Sequence, residues 1–274
     1  PLVAAEKFAK PRAVLAAFPG TNCEIDTAQA LRRAGIEPEI HMIRNLTAAD
    51  LEASVSEMER AIHNSQMIIM PGGFSGGDEP DGSGKFICAF YRNPRITAAV
   101  HDLLYHRDGL MLGICNGFQA LLKLGLLTTG EICEVDDTFP TLTYNLIGRH
   151  QSRYVTTRVA SVHSPWMTLC KPDELYHVAV SHGEGRFVAN DERVLEMFRN
   201  GQIATQYVDP QGRPSMDVEY NPNGSVQATE GIFSPDGRIF GKMGHIERSG
   251  KNIAKNIPGE KFMPVFESGA AYYR

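Results

Sequence analysis

Cys115 stands in a pattern that turns a thiol into a nucleophile. Apolar residues from Leu110 to Leu112 run straight into Gly113-Ile-Cys115-Asn-Gly117, and Phe118 to Leu124 then has helical spacing up to Gly125. This is the small-x-nucleophile-x-Gly spacing of a nucleophile elbow, with cysteine in the serine position. A sharp strand-to-helix turn holds its nucleophile in a strained backbone conformation, and the neighbours must lack side chains for the turn to close. The sulfur is left at a helix N-terminus, where backbone N–H groups favour thiolate over thiol. Taken alone, the pattern fits a buried cysteine at the end of a core strand equally well.

A cysteine nucleophile needs a base, and the base needs a third group to orient it. Of the nine histidines, His63, His101 and His106 fall in helical stretches among charged neighbours, the setting of a solvated side chain. His245 differs, because Glu247 follows two residues on, just past an apolar run. In an extended segment, positions i and i+2 share a side, so a carboxylate there can hold one ring nitrogen while the other faces a thiol.

Two glycine-rich turns complete the set. Pro71-Gly-Gly-Phe-Ser-Gly-Gly-Asp78 extends through Gly82 and Gly84 but fails the phosphate-loop template, since Lys85 is followed by Phe86 and position 79 is Glu. The alternatives are a mobile surface turn and an oxyanion hole. In the second, Gly72-Gly73 would aim an N–H at the same point as the N–H of Asn116. Ser181-His-Gly-Glu-Gly-Arg186, directly after an apolar strand, can present backbone groups and hydroxyls to a polar ligand.

These residues need elements to place them. Ala13–Phe18, Ile36–Ile43 and Gln66–Met70 read as strands. Between them a helix capped by Thr21 or Asn22 runs to Ala34, and a second opens at a Thr47–Asp50 capping box. The second runs to about His63 and places Leu51, Val55, Met58 and Ile62 on one face. A third helical stretch covers Arg95–Tyr105. Apolar strands alternating with helices imply a doubly wound, mostly parallel α/β sheet. After about Gly130 helices become scarce. Leu142–Val162, Leu175–Val180, Ile203–Val208, Val226–Phe233 and a closing Arg238–Met243 read as antiparallel additions to that sheet. In a parallel sheet the strand C-terminal ends gather on one edge, which is where the elbow and His245 both fall.

The totals exclude several classes. The chain has 274 residues, with 27 basic and 32 acidic side chains and no basic run, so nucleic acid is not an expected partner. No apolar stretch reaches the ~18 residues of a membrane span, and no signal peptide opens the chain. Five widely spaced cysteines without a C-x-x-C pair argue against disulfides and structural zinc and point to a reducing cytoplasm, and Cys23, Cys88, Cys133 and Cys170 read as packing residues. Residues 1–11 read as a linker and 12–274 as one domain. The opening Pro1-Leu-Val-Ala suggests a domain cut from a longer synthase, at its C-terminal end.

Together, the elbow, the Pro71–Asp78 loop, Ser181–Arg186 and His245-Ile-Glu247 resemble the class I (triad-type) glutamine amidotransferases, which have a flavodoxin-like fold. Phe18-Pro-Gly-Thr-Asn22 and Asn221-Pro-Asn-Gly-Ser225 are similar to the branch that serves purine biosynthesis. The likeness spans roughly Arg12 to Arg248. It implies that Cys115 attacks the side-chain amide of L-glutamine, with His245 as base and then acid and Glu247 orienting it. It further implies an oxyanion hole from Gly73 and Asn116. Gln119, Ser181, His182 and Gly183 would hold the amino acid's α-groups. Ammonia would pass to a synthetase domain or subunit, where ATP and Mg are expected, to convert formylglycinamide ribonucleotide to its amidine. No metal or cofactor is implied in this domain. The family flanks the histidine with prolines, whereas this chain has Gly244 and Ile246.

Three other functions fit the fold. A glutaminase component of a different amidotransferase would share all of these residues. Deglycase- and peptidase-like relatives place a histidine beside the elbow cysteine, where Asn116 stands here. A non-catalytic interaction domain would not need all three triad residue types.

Overall fold

A computed structural model of the protein describes residues 3–77, 83–250 and 252–274. Asp78 and Gly82 of the glycine-rich loop, and the first two residues of the expected linker, lie outside the described residues. In chain order the elements are β1 (Arg12–Ala17), α1 (Glu24–Arg33), β2 (Glu37–Met42), α2 (Ala48–His63), β3 (Met67–Met70), α3 (Lys85–Tyr91), α4 (Pro94–His106), β4 (Leu110–Ile114), α5 (Asn116–Lys123) and α6 (Leu126–Thr129). They continue with β5 (Thr141–Thr143), β6 (Gln151–Val159), β7 (Leu175–His182), β8 (Arg186–Val188), α7 (Asp191–Arg199), β9 (Ile203–Tyr207), β10 (Thr229–Phe233), β11 (Ile239–Lys242) and α8 (Val265–Tyr272).

Among these residues one nine-stranded sheet has the order β2-β1-β3-β4-β11-β10-β9-β6-β7. From β2 to β11 every pairing is parallel, and from β11 to β7 every pairing is antiparallel. This is the doubly wound α/β sheet with antiparallel additions that the strand pattern predicts. The inner parallel strands β3 and β4 are apolar because both faces are covered, and every one of their residues is buried. Each such Ile, Leu or Met contributes roughly 1.5–3 kcal/mol by leaving water. β11, expected among the antiparallel additions, runs parallel to β4 and antiparallel only to β10. It does not close an edge but inserts beside β4, with Gly241 opposite Gly113 and Lys242 opposite Ile114.

Several local expectations need correction. The stretch Leu142–Val162 is not one strand: β5 leaves to form a two-stranded ribbon with β8, and β6 begins only at Gln151. Neither Thr21 nor Asn22 caps α1. Cys23 occupies the N-cap position without a side-chain bond, while Thr21 Oγ1 accepts from the N–H of Phe18. The Thr47–Asp50 capping box forms with both of its bonds. On α2, Val55, Met58 and Ile62 are buried but Leu51 is exposed. The antiparallel half also carries α7, which Asn190 caps by accepting from the N–H of Arg193.

Residues 3–11 pack against α8. Ala4 and Phe8 donate to the carbonyls of Tyr272 and Tyr273, and the Phe8 and Tyr273 rings meet edge-on at 6.0 Å. Tyr273 in turn donates to the carbonyls of Gln66 and Asp108, which precede β3 and β4. Among the described residues all five cysteines are free thiols, and no helix is long and apolar enough to cross a membrane.

Candidate active site

Four loops meet at the C-terminal edge of the parallel strands, and β1 and β3 supply two of them. The order β2-β1-β3 makes the gap between β1 and β3 the point where the sheet reverses its winding, a place where α/β folds bind ligands. The loop after β1 and the loop after β3 touch through a bridge between Thr21 and Gly73. The elbow follows β4, and the His245 segment follows β11.

At the elbow, Cys115 has φ 52° and ψ −105°, in the left-handed half of backbone space that costs a side-chain-bearing residue on the order of 1–3 kcal/mol. The surroundings hold it there. Its N–H donates to the carbonyl of Lys242 at 2.8 Å, tying the elbow to β11. Gly117 must be glycine, because a Cβ there would lie 2.0 Å from the carbonyl oxygen of Met70 on β3. The thiol faces the carbonyl of Ser181 at 3.7 Å.

His245 is fixed from both sides. Its N–H donates to the carbonyl of Ala179 on β7 at 2.8 Å, and its Nδ1 lies 2.6 Å from Oε1 of Glu247. The pairing does not come from an extended segment. Residues Ile246–Arg248 form a single tight helical turn, and the turn folds Glu247 back onto the ring. Both side chains are buried. Burial disfavours a charged imidazole, but the Glu247 carboxylate outweighs it, helped by hydrogen bonds to Cys115, Cys23 and Glu247. The His245 pKa is therefore raised well above its ordinary value.

The remaining predicted residues, Asn116 apart, line the same cleft. Gly73, Phe74, Cys115, Ser181 and His245 form one part of it, and Gly73, Cys115, Gln119 and Ser181–Glu184 the adjoining part. The bridge to Thr21 is made by Asn22 N–H to the Gly72 carbonyl and Phe74 N–H to the Gly20 carbonyl, so it uses neither polar group of Gly73. Asn116 opens α5. Its side chain accepts from the N–H of Ser75 and donates to Oε1 of Gln119, whose Nε2 donates to the carbonyl of Glu184 at 2.6 Å. Asn116 and Gln119 thus tie the loop after β3 to the loop after β7.

The Ser181–Glu184 loop is held by Asn145. Its Nδ2 donates to the carbonyls of His182 and Arg149, and its Oδ1 faces Nδ1 of His182 and the N–H of Gly185 at 3.2 Å each. His182 is buried, with its pKa lowered to about 3 by burial and by the nearby charges of His150 and His245. It is a neutral ring. Ser181 Oγ pairs with Nε2 of His150 at 2.9 Å.

Residues 10–273 match the model of the CobB/CobQ-like glutamine amidotransferase domain. The chain belongs to this family. It is 33% identical over 247 residues to phosphoribosylformylglycinamidine synthase subunit PurQ of Methanococcus maripaludis, covering 89% of this chain and 85% of the relative. The subunit of that name from Symbiobacterium thermophilum is 31% identical over 245 residues, with 88% and 89% covered. Among solved structures, that of PurLQS from Thermotoga maritima superposes with a TM-score of 0.69 at 27% identity, over 97% of this chain and 100% of the other.

The amidotransferase site also holds residues the sequence reading left aside. Cys23 was expected to be a packing residue, yet its Sγ lies 3.9 Å from His245 Nδ1, donates to Asn22 Oδ1 at 3.1 Å and accepts from Arg248 at 3.0 Å. Gly72 makes this crowding possible, because a Cβ there would sit 2.8 Å from the His245 ring and 3.2 Å from the Cys23 sulfur. The available signal was position: Cys23 follows the loop after β1, on the ligand edge of the sheet. Asn145 had no such signal.

Among the described residues, Cys23, His245 and Glu247 are the grouping whose donor atoms, all within 4.8 Å, could ligate a metal ion. In the amidotransferase those atoms are engaged with one another, and the Arg248 guanidinium on the Cys23 sulfur would repel a divalent cation.

Proposed function

We propose that this amidotransferase hydrolyses L-glutamine to glutamate and ammonia through a thioester on Cys115. The observation that carries the reading is the chain of Glu247, His245 and Cys115 across the ends of two adjacent parallel strands, beside the Gly73 turn. Cys115 Sγ adds to the side-chain amide carbon as a thiolate, its proton already held by His245. The N–H groups of Gly73 and Asn116 hold the oxyanion. Collapse expels ammonia, which takes the proton from His245 and leaves a glutamyl thioester. Water, deprotonated by His245, then adds to the thioester, and glutamate leaves as the thiol is restored. Glu247 keeps the ring in one tautomer and stabilises its charged form. The Ser181–Gly183 backbone, with Gln119 holding the loop behind it, receives the amino acid's α-groups.

The ammonia goes to a synthetase subunit or domain that uses ATP and Mg to convert formylglycinamide ribonucleotide to its amidine, in the cytoplasm. The PurQ relatives and the likeness to the Thermotoga PurLQS structure support this acceptor. The deglycase-like alternative lacks its base: Asn116, next to the elbow cysteine, directs its side chain to Ser75 and Gln119.

The test is covalent labelling with an electrophilic glutamine analogue, read by peptide mass spectrometry, alongside ammonia release with the synthetase present. Label confined to Cys115 and blocked by glutamine, with ammonia release lost in Cys115→Ala, is the expected result. Label spread over all cysteines and indifferent to glutamine would overturn the reading.

A further inference from the structure

Beneath the His245 turn lies an ion pair that the proposed chemistry does not use. Glu230 on β10 and Lys242 on β11 are both completely buried, with Nζ 3.1 Å from Oε1. A buried pair of this kind is weak evidence for stability, because the desolvation of both charges offsets their attraction. Its hydrogen bonds point to a different use.

The pair closes on both backbone polar groups of one residue. Glu230 Oε1 accepts from the N–H of Gly244 at 2.6 Å, and Lys242 Nζ donates to the carbonyl of Gly244 at 3.1 Å. Gly244 is the residue immediately before His245. The second carboxylate oxygen of Glu230 accepts from Thr205 Oγ1, which anchors the grip to β9. Lys242 also reaches the other catalytic residue, since its own carbonyl accepts from the N–H of Cys115 at 2.8 Å. The head groups occupy the space a side chain on residue 244 would need: a Cβ there would lie 2.9 Å from Glu230 Oε1 and 3.0 Å from Lys242 Nζ.

We infer that Glu230 and Lys242 are positioning residues for His245, a buried clamp on Gly244 that sets where the imidazole stands relative to the Cys115 sulfur. The inference rests on the glutaminase reading. Glycine has the widest backbone freedom of any residue, so an unclamped Gly244 would let the ring swing. Holding both its N–H and its C=O from rigid strands removes that freedom. A charged pair suits the task because one head group accepts and the other donates, as the N–H and C=O of a single residue require.

The test uses two double variants, assayed with the synthetase present and with wild type alongside. Glu230→Leu/Lys242→Met removes both grips without leaving a lone buried charge. The expected result is a wild-type melting temperature and a loss of about a hundredfold in kcat for ammonia release, the cost of a misplacement of about 1 Å. The KM for glutamine should stay within about twofold, and ammonium-supported synthetase turnover should not change. Glu230→Gln/Lys242→Met restores an acceptor for the Gly244 N–H and should recover roughly a tenfold share of the lost rate. Undiminished ammonia release in the first double variant would overturn the inference. So would equal losses in the two, which would tie the rate to the charges and not to the clamp. A wild type that releases no ammonia from glutamine would instead defeat the glutaminase reading itself.

Discussion

Two buried histidines wall the same cleft and are driven in opposite directions. His182, 2% exposed, has Nδ1 on the carboxamide of Asn145, and burial takes its pKa down to about 3. His245, 4% exposed, has Nδ1 on the carboxylate of Glu247, and its pKa is raised well above the ordinary value despite the same burial. The desolvation is shared and the partner differs. In a dry cleft, one hydrogen-bonding neighbour decides whether an imidazole carries a proton or serves as neutral scaffolding. That division matches the roles proposed above, with the proton carrier on the β11 side and the substrate loop on the β7 side.

The largest break in that comparison comes from removing the carrier or its nucleophile. His245→Ala and Cys115→Ser should each lower glutamine-dependent ammonia release on the order of 10⁴-fold or more, because triad members act as a unit. Synthetase turnover on added ammonium should survive both. Its loss in Cys115→Ser would make that residue structural.

Glu247→Gln should be milder than His245→Ala by roughly one to two orders of magnitude, since the proton carrier remains. It also makes the two histidines alike, each facing a carboxamide. The His245 titration, followed by NMR, should then fall below 6.5 towards the behaviour of His182. A His245 that still titrates high in this variant would remove the carboxylate as the cause.

Asn145→Ala loosens the other wall by deleting the bonds that hold residues 182–185. Glutamine KM should rise about tenfold with little change in kcat, the cost of a lost buried hydrogen-bond anchor. A matching fall in kcat would place this loop in the chemical step.

The smallest effect is on stability. A base with a depressed folded pKa binds its proton more readily once unfolded. His182 should therefore cost stability as pH falls below about 6.5, by up to roughly 1.4 kcal/mol per unit until about pH 3. His245 has the opposite sign. Its contribution is fully present below the unfolded pKa and is lost only as pH rises through its raised folded value. Urea titrations across pH 7 to 5 should show the acid loss in wild type and a shallower one in His182→Gln. Equal slopes would assign the loss to other groups.

Much of this was legible in the chain. The apolar runs of β3 and β4, the glycines around Cys115 and the Thr47–Asp50 box are local signals, and local signals survive folding. The His-x-Glu pair was visible too, but for the wrong local reason, because a tight turn and not a strand brings Glu247 to the ring. Cys23 read as a packing residue because nothing in its own neighbourhood mentions His245. The glycine at 244, where the resemblance leads one to expect proline, left the stiffness of the histidine segment open. The answer sits on β10 and β11, where the buried Glu230–Lys242 clamp closes.

By itself, then, the sequence determined the elbow pattern around Cys115, the parallel α/β half and the His245-x-Glu247 pair. These follow from periodicity, glycine placement and spacing, all properties of neighbouring residues. Only the tertiary structure decided that β11 inserts beside β4, that Cys23 packs against His245 and Arg248, and that the pKa values of two buried histidines move in opposite directions. Those outcomes depend on strand order and on which partner reaches a desolvated ring, and both are set by contacts between residues far apart in the chain.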